Sequence, residues 1–452
     1  MFRNRRFLKP LVLVISLSLV LVLSIAGANS ASSIWQQCKG KTVRVLLDAH
    51  PWQQAIEKHL DEFTKLTGIR VELTVLGEDT YWDRVTLGLS SPNPPFDVFK
   101  LSPNQTGFTG YQNNWIAPLD GFINNKKYTD PAYNFKDFYS YIVEGFRFPD
   151  TKGKLYAVPL TIETYMLFYR KDLLAEQNID QANLKTMDDW IKALDKLQAA
   201  YAKDGIAPAV IRGQDPTMPD ELLAAVYNYW GKRPFLPQRM FYFDKDWNPR
   251  FTDPAIVNGF KLWAKLLSMG PKGSTSFTWY DCVHHFASGK AATFWFDASV
   301  FAGIFEDPKQ SKVVGKVGYA PVPPTATGHG TTHWGWGLSI AQNSPVKDAA
   351  WLFVQWATSP QMEKLTAPMT YGPVRRSSWK SLRKTFGSDF CQAVDTSLAM
   401  SVPGYMYFPG AREVADRIID AVIRISQGED ANQVMNWLDS TAKDIVKRNG
   451  LR

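Results

Sequence analysis

The chain has 452 residues, a formal charge of +8, 45% hydrophobic and 21% charged residues, and 16 tryptophans within an aromatic content of 13%. A chain this long buries a large core and calls for two domains or lobes. Its basic residues are scattered, with no Lys/Arg run of the kind that marks a nucleic-acid patch, so no nucleic-acid partner is expected. The cysteines Cys38, Cys282 and Cys391 are too few for a disulfide scaffold and lack zinc-ligand spacing. One bridge in an oxidising compartment stays open, and the sequence does not choose its two partners.

Arg3, Arg5, Arg6 and Lys9 precede an uncharged apolar run, Leu11 to Ile25, and Ala26-Gly27-Ala28 follows. That is the order of a secretory signal peptide and its cleavage site, so residues 1–28 are read as a signal and the mature chain is placed in the periplasm. The run is short for a span of about 20 residues; an uncleaved anchor is the alternative. Trp35-Gln36-Gln37 before Cys38 lacks the small residues of a lipoprotein signal. Removing the segment lowers the formal charge from +8 to +4, because it carries four basic residues and no acidic ones.

Lys41 to Leu47 alternates and is read as a first strand. Trp52 to Thr67 follows as a helix, with Ile56, Leu60, Phe63 and Leu66 at helical spacing and Gly68 as its C-terminal stop. Ile69 to Leu76 is a second strand, Tyr81 to Leu89 a helix, and Phe96 to Phe99 a short buried strand. This β-α-β-α-β order implies a parallel sheet, whose ligands bind at the carboxyl ends of the strands. Ala157 to Phe168 is extended. Thr186 caps a helix with Asp189 three residues on, and the amphipathic pattern continues from Trp190 to Ala202. Pro219 to Trp230 and Pro254 to Met269 are helical. Lys316 to Pro324 is extended, Thr325 to Gly337 is expected to be a loop, and Gly337 to Ala341 a short strand. Helices are expected over Pro345 to Thr358, Ala411 to Gln427 and Ala431 to Lys447.

Catalytic signatures are missing. There is no G-x-S-x-G nucleophile elbow and no H-E-x-x-H metal pair, and the glycines around His329 and His333 argue against the helix that such a pair needs. Neither a cofactor nor a metal is expected. A glycosidase carboxylate pair leaves no mark in sequence.

Five segments together resemble a known family. They are Phe63–Val71 (F-T-K-L-T-G-I-R-V); Phe96–Phe99 with Asn114–Asp120 (N-W-I-A-P-L-D); Gly153–Pro159 with Phe168–Leu173; Trp336–Ile340 with Ser344–Ala350; and Tyr371–Ser377 (Y-G-P-V-R-R-S). In this order and spacing the chain is similar to extracellular solute-binding protein family 1 of bacterial ABC importers, the maltose-binding-protein-like group. His50-Pro51-Trp52 and Trp334-Gly335-Trp336 resemble its sugar and sugar-alcohol branch. The resemblance implies an α/β, two-lobed periplasmic-binding-protein fold, each lobe a mainly parallel sheet flanked by helices, with the ligand cleft between lobes. Lobe one would comprise residues 39–158 plus 325–372, and lobe two 160–319 plus 373–452, with crossings near Ala157–Thr161, Tyr319–Pro324 and Tyr371–Arg375.

It further implies a monomeric, non-enzymatic receptor that closes on a carbohydrate and delivers it to the membrane permease subunits of an importer. Ligand contacts carried over by position are His50, Trp52, Asn104, Gln105, Glu163, Gln214, Asp215, Trp295, Asp297, Trp334, Trp336 and Arg375. The uncharged Asn104-Gln105 pair stands where maltose binders have Asp-Arg, which argues against maltose. Plainer roles compete: the tryptophans as core, Glu163 and Asp297 as surface or capping carboxylates, His50 as a turn residue, Asn104 and Gln105 as loop, and one of Arg375 and Arg376 facing solvent. The rival functions are a secreted glycoside hydrolase or lyase, a receptor for a non-carbohydrate solute, and an anchored sensor.

Overall fold

The computed structural model describes residues 34–230, 241–404 and 408–452. The signal segment expected at residues 1–28 lies outside these residues. Strand β1 (Thr42–Asp48) is flanked by β2 (Arg70–Leu76) on one side and β3 (Val98–Leu101) on the other, both parallel to it, in the order β2-β1-β3. This is the crossover arrangement that the alternating pattern predicts. The helix expected over Trp52–Thr67 is two helices, α1 (Pro51–Glu57) and α2 (Leu60–Thr67). The chain bends between them, so that Ile56 and Phe63 both reach the core while Leu60 stays half-buried. Gly68 closes α2 at φ 69°, a left-handed cap that a side chain with a Cβ disfavours. Helix α3 (Glu78–Ser90) returns the chain to β3.

The second half is first entered through a long strand, β4 (Val158–Arg170), buried along all 13 residues. Its partners are β5 (Thr293–Ala298), β6 (Val317–Ala320) and β7 (Thr331–Ile340). From Val158 to Thr164, β4 pairs antiparallel with β7, which in turn pairs with β3. From Tyr165 to Arg170 it pairs antiparallel with β5 and β6. One strand therefore belongs to both lobes of the molecule. The ladder is broken twice, between Pro159 and Thr161 and between Met166 and Leu167. The pairs to β5 and β6 are antiparallel; parallel contacts among the described residues of this half are the bridges Ala207↔Ala291 and Val210↔Phe294 and the pairing of Ser401–Pro403 with β7.

Thr325–Gly337, expected to be a loop, is in large part strand: β7 begins at Thr331 and all ten of its residues are buried. Its glycines mark crowding rather than looseness. A Cβ on Gly337 would lie 2.8 Å from the Ala157 Cβ and 2.9 Å from the Phe146 ring. Because Thr331 starts beside Ser401, His333 pairs with Thr164 and Ile340 ends beside Val98, β7 is a second passage between the lobes. Tyr319, in the segment where that passage was expected, instead pairs with Phe168 inside the second lobe.

Helix α4 (Met187–Tyr201) opens with the capping box read from the sequence, Thr186 and Asp189 bonding each other's backbone N–H. Thr186→Ala is expected to cost about 1 kcal/mol of stability, measured by urea denaturation, with ligand affinity unchanged. Helix α5 (Met218–Trp230) packs on α6 (Pro254–Ser268), and the C-terminal helices 411–426 and 431–448 cover α6. Cys38, Cys282 and Cys391 are buried free thiols. No helix among the described residues is long and apolar enough to cross a membrane.

Candidate functional site

A cavity of about 90 Å³ lies between the two lobes. One wall comes from the carboxyl ends of β1 and β3, the start of α1 and α3, and Trp334 and Trp336 of β7. The other comes from Arg212, Thr217 and Glu221 of the second lobe with Trp279 and the segment Val300–Ile304. Glu163 and Tyr165 of β4 form the base, at the point where that strand passes between lobes.

The first-lobe wall is built on a buried ion pair. Lys100 Nζ lies 2.6 Å from Asp48 Oδ2, both side chains 3% exposed, and 3.8 Å over the Trp336 ring. Burial pushes the Asp48 carboxyl up, but Lys100 overcomes it and holds Asp48 below the ordinary carboxylate range. Trp336 stacks on Trp82 at 5.5 Å, and its Nε1 donates to Glu163 Oε1 at 2.8 Å. Burial raises the Glu163 carboxyl to about 7, against the lowering effect of that hydrogen bond. His50 Nδ1 accepts from the Trp52 backbone N–H at 3.1 Å, which leaves Nε2 to carry the proton, 3.9 Å from Glu163 Oε1. Burial and then Lys100 lower the His50 pKa to about 3, so the ring is neutral.

The second-lobe wall is organised by Arg212. Its Nε and Nη2 donate to the two oxygens of Asp297 at 2.9 and 2.5 Å, and its Nη1 lies 2.8 Å from Glu221 Oε1 and 2.6 Å from Thr217 Oγ1. Burial opposes the guanidinium charge, but Asp297 and Glu221 outweigh it and hold Arg212 firmly cationic. Burial pushes Glu221 well above the usual carboxylate range even with Arg212 beside it. Asp215 accepts from Thr217 Oγ1 at 2.7 Å and from the Trp279 backbone N–H at 2.7 Å, so it fixes two lining residues without lining the cavity.

Of the residues expected to touch ligand, His50, Glu163, Trp334 and Trp336 meet at the cavity. Asp297 and Asp215 stand directly behind it. Trp52 is 3% exposed and lies in the core under α1. Trp295 is fully buried, edge-on to Trp190. Asn104 is not in the cavity wall but donates to Asp220 Oδ2 at 2.9 Å, tying the first lobe to α5. Gln105 follows it in the same turn, outside the cavity lining. The Gln214 side chain is exposed. Arg375 is wholly buried, donates to the carbonyls of Thr358 and Asn134, and lies 3.8 Å over Phe138, so it fastens the chain near the third crossing.

Sequence reading missed Asp48, Glu78, Lys100, Tyr165, Arg212, Glu221 and Trp279. The strand-end rule carried a usable signal for two of them. Asp48 ends β1 and Lys100 is the penultimate residue of β3, each a charged residue at the carboxyl end of a buried strand.

Two lobes sharing a continuous strand, with a cavity of charged and aromatic residues at their junction, define a solute-binding architecture. Residues 49–364 match the family model described as bacterial extracellular solute-binding protein, and the chain belongs to that family. Over 448 residues it is 26% identical to an erythritol/L-threitol-binding protein of Mycolicibacterium smegmatis, covering 91% of this chain and 88% of that one. It is 28% identical over 306 residues to a mannitol-binding protein of Pseudomonas aeruginosa, 66% of this chain and 64% of the relative. The fold matches, at TM-score 0.73 and 24% identity, an ABC transporter solute-binding protein of Agrobacterium vitis solved with bound D-mannitol, covering 91% of this chain and 99% of that one.

Proposed function

We propose that this chain is an exported receptor for a small acyclic polyhydroxylated solute, a sugar alcohol, which it passes unchanged to the permease of an ABC importer. The reading includes export by a signal at residues 1–28 and a periplasmic location. The observation that carries it is the state of the cavity carboxylates. Asp48 Oδ1 and Glu221 Oε2 are buried and have no hydrogen-bond partner among the described residues. An unmet buried acceptor costs about 1–3 kcal/mol, and the hydroxyl hydrogens of a polyol are donors of the kind these oxygens lack. Trp334 is 3% and Trp336 8% exposed, so neither of these two offers an open platform for a pyranose.

The mechanism follows from where these groups sit. Asp48 and Lys100 belong to one lobe and Glu221 and Arg212 to the other, so a ligand bonds all of them only when the lobes are closed. It shifts the open–closed balance by its differential affinity for the closed form. Erythritol and mannitol are expected to raise the melting temperature, by the equivalent of about 2.7 kcal/mol at one hundred times the dissociation constant, while maltose does not. NMR of the recovered polyol should show it unaltered. No shift with any polyol from four to six carbons overturns the reading.

A further inference from the structure

We infer that the cavity sorts polyhydroxylated ligands by charge: it takes one bearing a primary ammonium more tightly than the neutral alcohol, and it refuses the carboxylate. This deepens the ligand reading above and rests on it. The argument is a census of charge around one enclosed space. Asp48, Glu78, Glu163 and Glu221 line it, against Lys100 and Arg212. Both cations are already engaged. Lys100 is bonded to Asp48 at 2.6 Å, and Arg212 divides its donors between Asp297 at 2.5 Å and Glu221 at 2.8 Å. Among the described residues no lysine or arginine nitrogen lies within salt-bridge distance of Glu163 or Glu78. The base nearest Glu163 is His50, at 3.9 Å, and its ring is neutral.

The enclosure is therefore acid-rich and short of positive charge. A neutral polyol fills it and leaves that imbalance standing, with Glu163 and Glu78 either ionised without a counter-charge or holding protons. Burial raises both carboxyls, and Lys100, the nearest cation to act on both, lowers them without reversing the rise. An ammonium in place of one terminal hydroxyl keeps the hydrogen-bond donors and supplies the missing charge in a low-dielectric space, where it counts for more than in water. A terminal carboxylate adds another negative charge at the same short range and removes donors that Asp48 Oδ1 and Glu221 Oε2 need.

The test is calorimetry at pH 7.5 on the purified chain with D-mannitol, 1-amino-1-deoxy-D-mannitol and D-mannonate. The amino compound is expected to bind about tenfold more tightly than mannitol, and mannonate at least about a hundredfold more weakly. Glu163→Gln keeps the acceptor oxygen for Trp336 and removes the charge, and it should bring the mannitol-to-amino ratio close to one. Glu78→Gln, on a partly exposed helix start, should reduce the same ratio and serves if the first variant does not fold. Mannitol binding as tightly as the amino compound, or mannonate as tightly as mannitol, overturns the inference. If neither mannitol nor erythritol binds, the sugar-alcohol reading itself falls and takes the inference with it.

Discussion

Arg212→Met is expected to be the most damaging single change in the molecule. It removes the only cation bonded to Asp297 and Glu221 among the described residues, and those carboxylates are 0% and 4% exposed at the side chain. Breaking a buried pair from one side costs about 3–5 kcal/mol, because the partner charge is left without compensation. Here Asp297 is stranded, and Glu221 and Thr217 Oγ1 lose their donor as well. The expected result is a melting-temperature loss on the order of 10 °C and no measurable polyol binding in whatever fraction remains folded. The double variant Arg212→Met, Asp297→Leu should recover part of the stability, since replacing both members by apolar groups removes the stranded charge. It should not recover binding. Calorimetric melting of the three proteins checks this, and full stability in the single variant would show that the cluster carries no stabilising charge pairing.

Glu163→Gln has the second-largest expected effect, visible in the pH dependence. An ordinary glutamate releases its proton near 4.5, and Glu163 in the folded chain holds it to about 7. Between those values the folded state binds more protons than the unfolded one. The stability Glu163 contributes is thus complete below pH 4.5 and is lost as pH rises through 7, a swing of about 3 kcal/mol. His50 works the other way: its folded value of about 3 against 6.5 means its contribution is present above pH 6.5 and lost as pH falls toward 3. The test is therefore the difference between parent and Glu163→Gln, in which the His50 effect cancels. Urea denaturation at pH 5 and pH 8 should show the parent losing about 3 kcal/mol more than the variant over that interval. Equal slopes would mean Glu163 titrates normally.

The framework was legible in the sequence wherever pattern and packing agree. The β1–β3 unit, the Gly68 cap and the Thr186 box follow from local chemistry, and each stands where the residues put it. Reading failed where a strand is buried on both sides. Thr331–Gly337 has the glycine and histidine content of a loop, yet it lies between β3, β4 and Ser401–Pro403, where small residues are needed for close approach. The site was legible by the same logic. His50, Glu163, Trp334 and Trp336 sit at strand ends or beside the crossing strand. Arg212 lies outside any element read from the sequence and Glu221 lies in a helix read only as helix, and only the fold sets them opposite Asp48. Arg375 and Trp295 are the converse: residue types that suit a ligand, used instead to lock segments together.

The uninterrupted run of β4 has a mechanical consequence. Hydrogen-bonded ladders lie on either side of Glu163, and register shifts at Pro159/Thr161 and Met166/Leu167 bracket it. Glu163 thus sits on the segment common to both jaws, while Trp279 and Arg212 belong to the facing wall. A captured molecule would have the shared strand as its floor and one jaw on each flank.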